Sequence, residues 1–245
     1  MPSLVHKETI IDYYLAPSKR RRSIIMRVDR DSRVQVRAPR FTAIHYIENF
    51  IKERIDWIIK KQNRFEKLDN LHPVKEFKTG EIFPLFDQDL QLHIKGRKQK
   101  KALCVLDGSA LNLFINDNID LKFKAEASRA IRGFYSGEIK NKAMEIINKY
   151  SKVLDVNVVN LSIGDQKSIW GSCSRKGKIR LNWRLAMMPF DVMEYIVIHE
   201  LCHLKVHGHG RKFWEVVENI LPDYKKRLKW LRQHGISFFL ISDWG

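Results

Sequence analysis

The alternation of apolar and polar residues changes period several times along the chain, and each change marks an expected element. Ile24, Met26 and Val28 alternate with polar neighbours, Asp29 to Ser32 supply turn residues, and Val34, Val36 and Ala38 alternate again. A period of two sends successive side chains to opposite faces of a strand, so this stretch predicts a hairpin. From residue 42 to about 67 the period lengthens, with Ile44, Ile47, Ile51, Ile55, Ile58 and Ile59 at helical spacing, which predicts one amphipathic helix. Between residues 71 and 120, proline and glycine punctuate short strand-like runs such as 90–94 and 111–115. That punctuation predicts a small β-rich region. A long helix is expected from about 122 to 150, and two short ones over 213–220 and 222–232. No internal repeat is evident in the sequence.

Residues 168–185 predict two short strands joined at Arg175-Lys176-Gly177, with Ile179 and Leu181 alternating against polar neighbours. Trp170 and Trp183 in this stretch are expected to pack rather than to hold substrate. Residues 190–204 then predict a helix, with Pro189 upstream and Asp191 and Glu194 spaced like a capping box. Apolar residues occur on nearly every side of it, so it is expected to be buried.

That buried helix carries His199-Glu200-Leu201-Cys202-His203. Residues four apart on a helix lie one above the other, so both imidazoles reach one tetrahedral ion while Glu200 faces its water. A helix packed all round has little reason to hold two imidazoles and a carboxylate unless something pairs with them. The pattern therefore predicts a hydrolytic Zn²⁺ site, in which the metal acidifies water and Glu200 takes its proton. Mn²⁺, Co²⁺ and Ni²⁺ suit the same ligand types.

Such a site needs a third protein ligand and one open position. His209 is the favoured candidate, because Gly208 is expected to end the helix as a left-handed cap and Gly210 to help the chain return. His207, Glu215, Glu218 and Asp223 are the alternatives, with Cys173 a remote one; Cys202 is expected to pack in the core. The histidine spacing equals that of metzincins, but Val206 replaces their glycine and no Met-turn follows. The hairpin just upstream offers a strand edge on which a peptide would pair main chain to main chain. Arg180, Asn182 and Arg184 on that hairpin are candidate substrate-binding and oxyanion-stabilising residues.

Composition adds bounds. At 245 residues, 44% hydrophobic and 30% charged, the chain is long enough for a sizeable core and reads as an ordinary globular protein. No apolar run approaches the ~20 residues of a membrane helix, and no signal-peptide pattern opens the chain. Three widely spaced cysteines give no disulfide framework, so a reducing, cytoplasmic setting is expected. The formal charge of +17 is concentrated in part in residues 18–22 and 95–101. These basic patches make nucleic acid a candidate partner through salt-dependent phosphate contacts, beside the plainer reading of a solvated surface.

Taken in order, WGSCS from Trp170, IRLNWRL from Ile179, IHELCHL from Ile198 and HGRKFW from His209 to Trp214 resemble the YgjP-like metallopeptidase family, related to SprT-type and WLM-type zinc proteases. The resemblance extends to Arg21-Arg22-Ser23-Ile24, to residues 34–39 and to residues 50–58, so it covers nearly the whole chain. It aligns His209 with a family histidine usually set in Asn-His-Ser; here Gly208 and Gly210 flank it. A Leu-Gly segment usual in the family's middle region is replaced by residues 83–89.

The resulting expectation is an α+β protein. Residues 1–120 form a β-rich N-terminal region with a helix, and residues 121–245 form a zincin-like metallopeptidase domain with a hairpin and the HExxH helix. The expected activity is zinc-dependent hydrolysis of peptide bonds in a peptide or protein substrate, with no membrane partner. The resemblance also implies a rival, a UTP-type nucleotide pyrophosphatase using the same metal, with Arg175, Lys176, Lys178, Arg211 and Lys212 to hold phosphate oxygens. A non-enzymatic alternative is a nucleic-acid-binding module with structural zinc, against which an intact Glu200 argues.

Overall fold

The computed structural model describes residues 2–6, 9–18, 22–28, 33–71, 75–96, 98, 101–116 and 122–239, without the side chains of 64–71. The expected turn at 29–32, Lys19 to Arg21 of the first basic patch, and Arg97, Gln99 and Lys100 of the second lie outside the described residues. Backbone contacts divide the chain into two compact units, Met1–Pro73 and Val74–Gly245.

In the first unit, β1 (Ser3–His6), β2 (Thr9–Ser18), β3 (Ile25–Val28) and β4 (Val34–Pro39) form one sheet in the order β1-β2-β4-β3. The predicted hairpin is β3 against β4, and β1 pairs antiparallel with β2. The two hairpins join through a parallel pairing of β2 with β4. The single predicted helix is two, α1 (Ile44–Lys52) and α2 (Ile55–Leu71). At the break the Arg54 N–H turns back to the Ile51 carbonyl, so the Phe50 carbonyl loses its usual main-chain donor. The Arg54 guanidinium supplies that donor at 3.1 Å, which explains how the break is tolerated without an exposed carbonyl. Ile47, Ile51, Ile55 and Ile58 still share one face and bury against Tyr13, Val34 and Val36 of the sheet.

The second unit opens with β5 (Ile82–Leu85), β6 (Gln88–Gly96), β7 (Leu103–Asp107) and β8 (Ala110–Ile115). Their order is β5-β6-β8-β7, with antiparallel outer pairs and a parallel centre. The first unit's topology is thus repeated, although the sequence shows no repeat. The long helix α3 (Phe123–Leu154) follows and buries Ile131, Tyr135, Ile139, Ala143 and Ile147 at four-residue spacing. Next come β9 (Asn160–Gly164), β10 (Gly171–Cys173) and β11 (Lys178–Asn182), in the order β10-β11-β9. β10 and β11 are the expected hairpin, closed by Gly177 at φ +73°, and β9 adds a parallel neighbour to β11. A 3₁₀ turn (Trp183–Met187), α4 (Phe190–Lys205), α5 (Arg211–Ile220) and α6 (Tyr224–Phe239) complete the chain.

The fold is mixed α+β, with six helices and three small mixed sheets among the described residues. The compact units meet near residue 73 rather than after residue 120. The physical reason is that β5–β8 share a core with α3 and α4: the Tyr135 hydroxyl donates to the Pro84 carbonyl at 2.7 Å, and the Phe86 N–H to the Ala186 carbonyl at 2.7 Å. Among the described residues no helix is long and apolar enough to cross a membrane.

Candidate metal centre

Helix α4 is buried along most of its length, as its pattern predicts, but its start is not a capping box. Pro189 occupies the N-cap with no side-chain cap, and the Phe190 N–H is met instead by the Asp87 carboxylate at 3.2 Å. Glu194 is engaged elsewhere, accepting from Arg227 at 2.7 Å. At the other end the helix stops at an extended Val206, whose N–H reaches the Cys202 carbonyl. Gly208 is not the cap; its φ of +83° lies two residues further on, in the loop that turns the chain back. Gly210 then opens α5 as its N-cap. His209, between these glycines, is carried back over α4.

The consequence is a cluster of three imidazoles. Nitrogens of His199, His203 and His209 lie within 4.8 Å of one another, and the Nε2 atoms of His199 and His209 are 3.1 Å apart. Nitrogens bound tetrahedrally at about 2.0–2.1 Å from a zinc-sized ion sit roughly 3.3–3.4 Å apart, so the side chains suit such an ion. His203 presents Nδ1 to the Val206 carbonyl at 3.4 Å, which leaves Nε2 to face the cluster. His199 has a buried Nδ1 with no hydrogen-bond partner. Burial, reinforced by the neighbouring His203 and His209, holds its pKa down to about 3. Burial likewise lowers His203. Both rings are therefore neutral at ordinary pH, the form that binds a metal. Phe213 of α5 forms the floor: it is fully buried, and its ring centroid lies 4.9, 4.5 and 5.0 Å from those of His199, His203 and His209.

Glu200 sits beside this cluster with only 6% of its surface exposed. Burial raises its carboxyl to about 7, the range in which a carboxylate exchanges protons at neutral pH. Strand β10 packs directly on it. A Cβ on Gly171 would stand 2.6 Å from Glu200 Oε1 and 2.8 Å from its Cγ, so the absent side chain is what lets the carboxylate lie there. Cys173, on the same face of β10, is close enough for Glu200 to help raise its thiol to about 11, after burial itself. Gly171 and Phe213 belong to this arrangement, although spacing alone did not single them out. Their sequence signal is a glycine in the strand before the helix and an aromatic pair after the last histidine.

The other candidates are elsewhere. His207 is exposed and outside the cluster. Glu215, Glu218 and Asp223 are held in ion pairs with Arg211, Lys225 and Arg227. Arg180 is exposed, and in register with Ser172 it lies on the sheet face opposite Gly171 and Cys173. Asn182 and Arg184 are fully buried in a separate polar cluster. Asn182 donates to the carbonyls of Gln166 and Ile169 at 2.8 and 3.2 Å. Arg184 pairs with Asp165, which also accepts from Trp183 Nε1 at 3.1 Å and faces Arg132 at 3.3 Å. None of the three faces Glu200, because strand register and the 3₁₀ turn direct them away. Trp183 packs on Tyr135 and Trp170 stacks on Phe239, as expected of packing residues. Arg175, Lys176, Lys178, Arg211 and Lys212 are exposed, and Cys202 is buried in the core.

Two imidazoles on a buried helix, a third returned over it and an adjacent carboxylate make a metal-hydrolase type of site, and the family comparison agrees with that class. The family profile described as YgjP-like, metallopeptidase domain, matches residues 22–234. The chain belongs to the YgjP-like family of metallopeptidases, which makes a metal ion the cofactor and protein or peptide the substrate class. Among solved structures, the crystal structure of the metallopeptidase zymogen of Pyrococcus abyssi abylysin is similar at 26% identity. That likeness covers 37% of this chain and 93% of the other, with a TM-score of 0.34. No curated protein matches. Nothing in these comparisons supports a nucleic-acid partner.

Proposed function

We propose that the chain is a zinc-dependent peptidase whose catalytic machinery lies within residues 121–245, the zincin-like part of the second unit, built on α4. The observation that carries this reading is the convergence of His199, His203 and His209 within 4.8 Å beside a buried carboxylate. The three imidazoles would hold the ion. When bound, zinc supplies Lewis acidity, polarising a carbonyl and making water acidic near neutral pH. Glu200 takes the proton of the attacking water and passes it to the leaving amine; its raised pKa suits both halves of that transfer. Gly171 keeps the carboxylate in place by leaving room for it, and Phe213 keeps solvent from the underside of the imidazoles.

Strand β10 is the edge of its sheet, hydrogen-bonded to β11 on one side. An extended peptide added along its other side would lie next to Glu200, which supports a peptide substrate over a compact one. Main-chain pairing of this kind needs no particular side chains, so the reading implies broad sequence tolerance.

The test is metal content and cleavage measured together. The wild-type chain is expected to hold one zinc, His209→Ala much less, and Glu200→Gln the full amount with no cleavage of an unfolded protein. Full zinc in His209→Ala would move the third ligand elsewhere. Turnover of UTP without peptide cleavage would replace the peptidase by the pyrophosphatase reading. Unchanged activity in Glu200→Gln, with unfolding on metal removal, would make the ion structural.

A further inference from the structure

The first unit contains none of the metal-site residues, yet its sheet presents a distinctive face to solvent. Helices α1 and α2 cover one side of it through Ile47, Ile51, Ile55 and Ile58. On the other side, register places Tyr14, Gln35 and Arg27 in one cross-strand row and Ala16, Arg37 and Ile25 in the next. Arg33 extends the arginine side of this face along β4 and just before it. Tyr14 is 55% exposed, and Arg27, Arg33 and Arg37 are exposed. Tyr14, Ala16, Arg33, Gln35 and Arg37 line a depression of about 300 Å³. Among the described residues Asp12 is the carboxylate on this face, two residues before Tyr14, beside the exposed Arg27 and Arg37.

Each part of this arrangement favours one kind of ligand. Alternate residues of a strand stand roughly 6.5–7 Å apart and neighbouring strands about 4.8 Å apart, so the arginines form an array rather than one point charge. Planar guanidinium forks bind phosphate oxygens two at a time. A tyrosine ring standing among them offers a flat apolar surface on which an unpaired base stacks. The small Ala16 beside Tyr14 leaves the depression open to a planar group. A duplex hides its base faces and makes no use of Tyr14, while an acidic peptide would engage the arginines and leave the ring idle. The formal charge of +17 adds long-range attraction for a polyanion.

We propose that this sheet face binds single-stranded nucleic acid, with Arg27 and Arg37 on the phosphates and a base stacked on Tyr14. The site is separate from the metal chemistry. DNA and RNA share these contacts, and binding of either kind satisfies the proposal.

The experiment uses the full chain and fluorescence anisotropy of labelled 15-nucleotide oligo-dT and oligo-rU, whose relative affinities decide which polymer is preferred. Wild-type binding should weaken steeply with added salt, as released counterions require. The double variant Arg27→Glu/Arg37→Glu should bind at least tenfold more weakly and with a shallower salt slope. Tyr14→Ala should lose roughly tenfold at an unchanged slope, the size of one base–aromatic stack. Lys140→Glu/Lys229→Glu, the same charge change on exposed helix positions, should lose little, and His209→Ala should bind as wild type. Thermal midpoints monitor folding, with Arg27→Gln/Arg37→Gln taking the place of the reversal if its midpoint falls. Equal losses in the two charge-reversed pairs would overturn the proposal, as would an unaffected Tyr14→Ala. Displacement of the oligonucleotide by an equal charge of polyglutamate would reassign the face to acidic peptides.

Discussion

Around Asp165 and around His199 the second unit has gathered two polar clusters at similar depth, and they differ in what their members point at. At Asp165 the groups face each other: Arg184 and Trp183 donate to one carboxylate, Arg132 approaches it, and Asn182 ties down two carbonyls. At His199 the groups face a common point. Three nitrogens converge, the His199 Nδ1 has no hydrogen-bond partner, and Glu200 is buried without a cation. Neither cluster is fully hydrogen-bonded, since Arg132 Nε and the Gln166 amide of the first have no hydrogen-bond partner either, so the difference is one of charge: a carboxylate set among guanidiniums against imidazoles set against one another. The first cluster therefore ties opposite charges together within the fold, while the second gathers donors of one kind that a cation would complete. Buried polarity alone does not mark a functional site; ligand-type nitrogens gathered against one another with no opposite charge among them do.

Breaking each cluster should give opposite signatures. The largest effect is expected from Glu200→Gln, which should lower peptide cleavage by roughly 10²–10⁴-fold, the usual share of a positioned proton-transfer group, with metal content and melting temperature little changed. Cleavage of a denatured protein and elemental analysis on the same sample check this. Arg184→Met should do the reverse. It leaves Asp165 with Arg132 and the Trp183 N–H but without its buried partner, so unfolding free energy in urea should fall by about 3 kcal/mol, the low end for a broken buried pair because Asp165 is 32% exposed. Metal content per folded chain should persist.

A smaller effect sharpens the contrast. Gly171→Ala should reduce cleavage about tenfold, through a displacement of Glu200 that costs about 1–3 kcal/mol, the range for an added methyl in a packed site. Gly164→Ala offers the matched control. Its Cβ would meet Arg180 Nη2 at 2.7 Å, but Arg180 is exposed and swings away, so neither activity nor stability should move much. Equal losses of activity in the two variants would mean that Gly171 acts through the strand and not through Glu200.

The mildest prediction concerns pH. Burial raises the Asp165 carboxyl, but the hydrogen bond and charge of Arg184, with the Trp183 N–H, outweigh it and hold the group below its usual range. A carboxylate depressed in the folded chain stabilises it fully above the unfolded value of about 4 and ceases to do so as pH falls through the lower folded value. Urea unfolding followed between pH 6 and 3, values chosen to span that window around about 4, should show a stability loss that Asp165→Asn partly flattens. An identical slope in the variant would assign the acid sensitivity to other carboxylates.

How far the sequence foretold these clusters follows from what is local. His199, Glu200 and His203 share one helix turn, so spacing alone predicted their common face, and Gly208 and Gly210 marked the reversal that returns His209. Asn182 and Arg184 were misplaced because a polar residue's side of a strand depends on a distant partner, here Asp165, which no local pattern names. The same limit hid the parallel pairings of β2 with β4 and β9 with β11. The break after α1 was invisible for another reason: Ile51 and Ile55 keep their four-residue spacing across it, and only the Arg54 side chain records the interruption. Gly171 carries no pattern of its own, since its contribution is the volume it leaves out.

The repeated strand order of the two four-stranded sheets bears on how the chain assembles. In each sheet the hairpins form from near neighbours, and the parallel seam that joins them comes later because it closes a longer loop. A nascent chain thus holds four hairpins and two seams of the same kind, and a seam between hairpins of different sheets is the natural error. The solvent faces discourage it. One sheet displays Arg27 and Arg37, the other Leu103 and Val105, each more than two-fifths exposed, so a hybrid would set guanidinium rows against an apolar patch. The arginines that give the first sheet its charge would also keep it from being mistaken for the second.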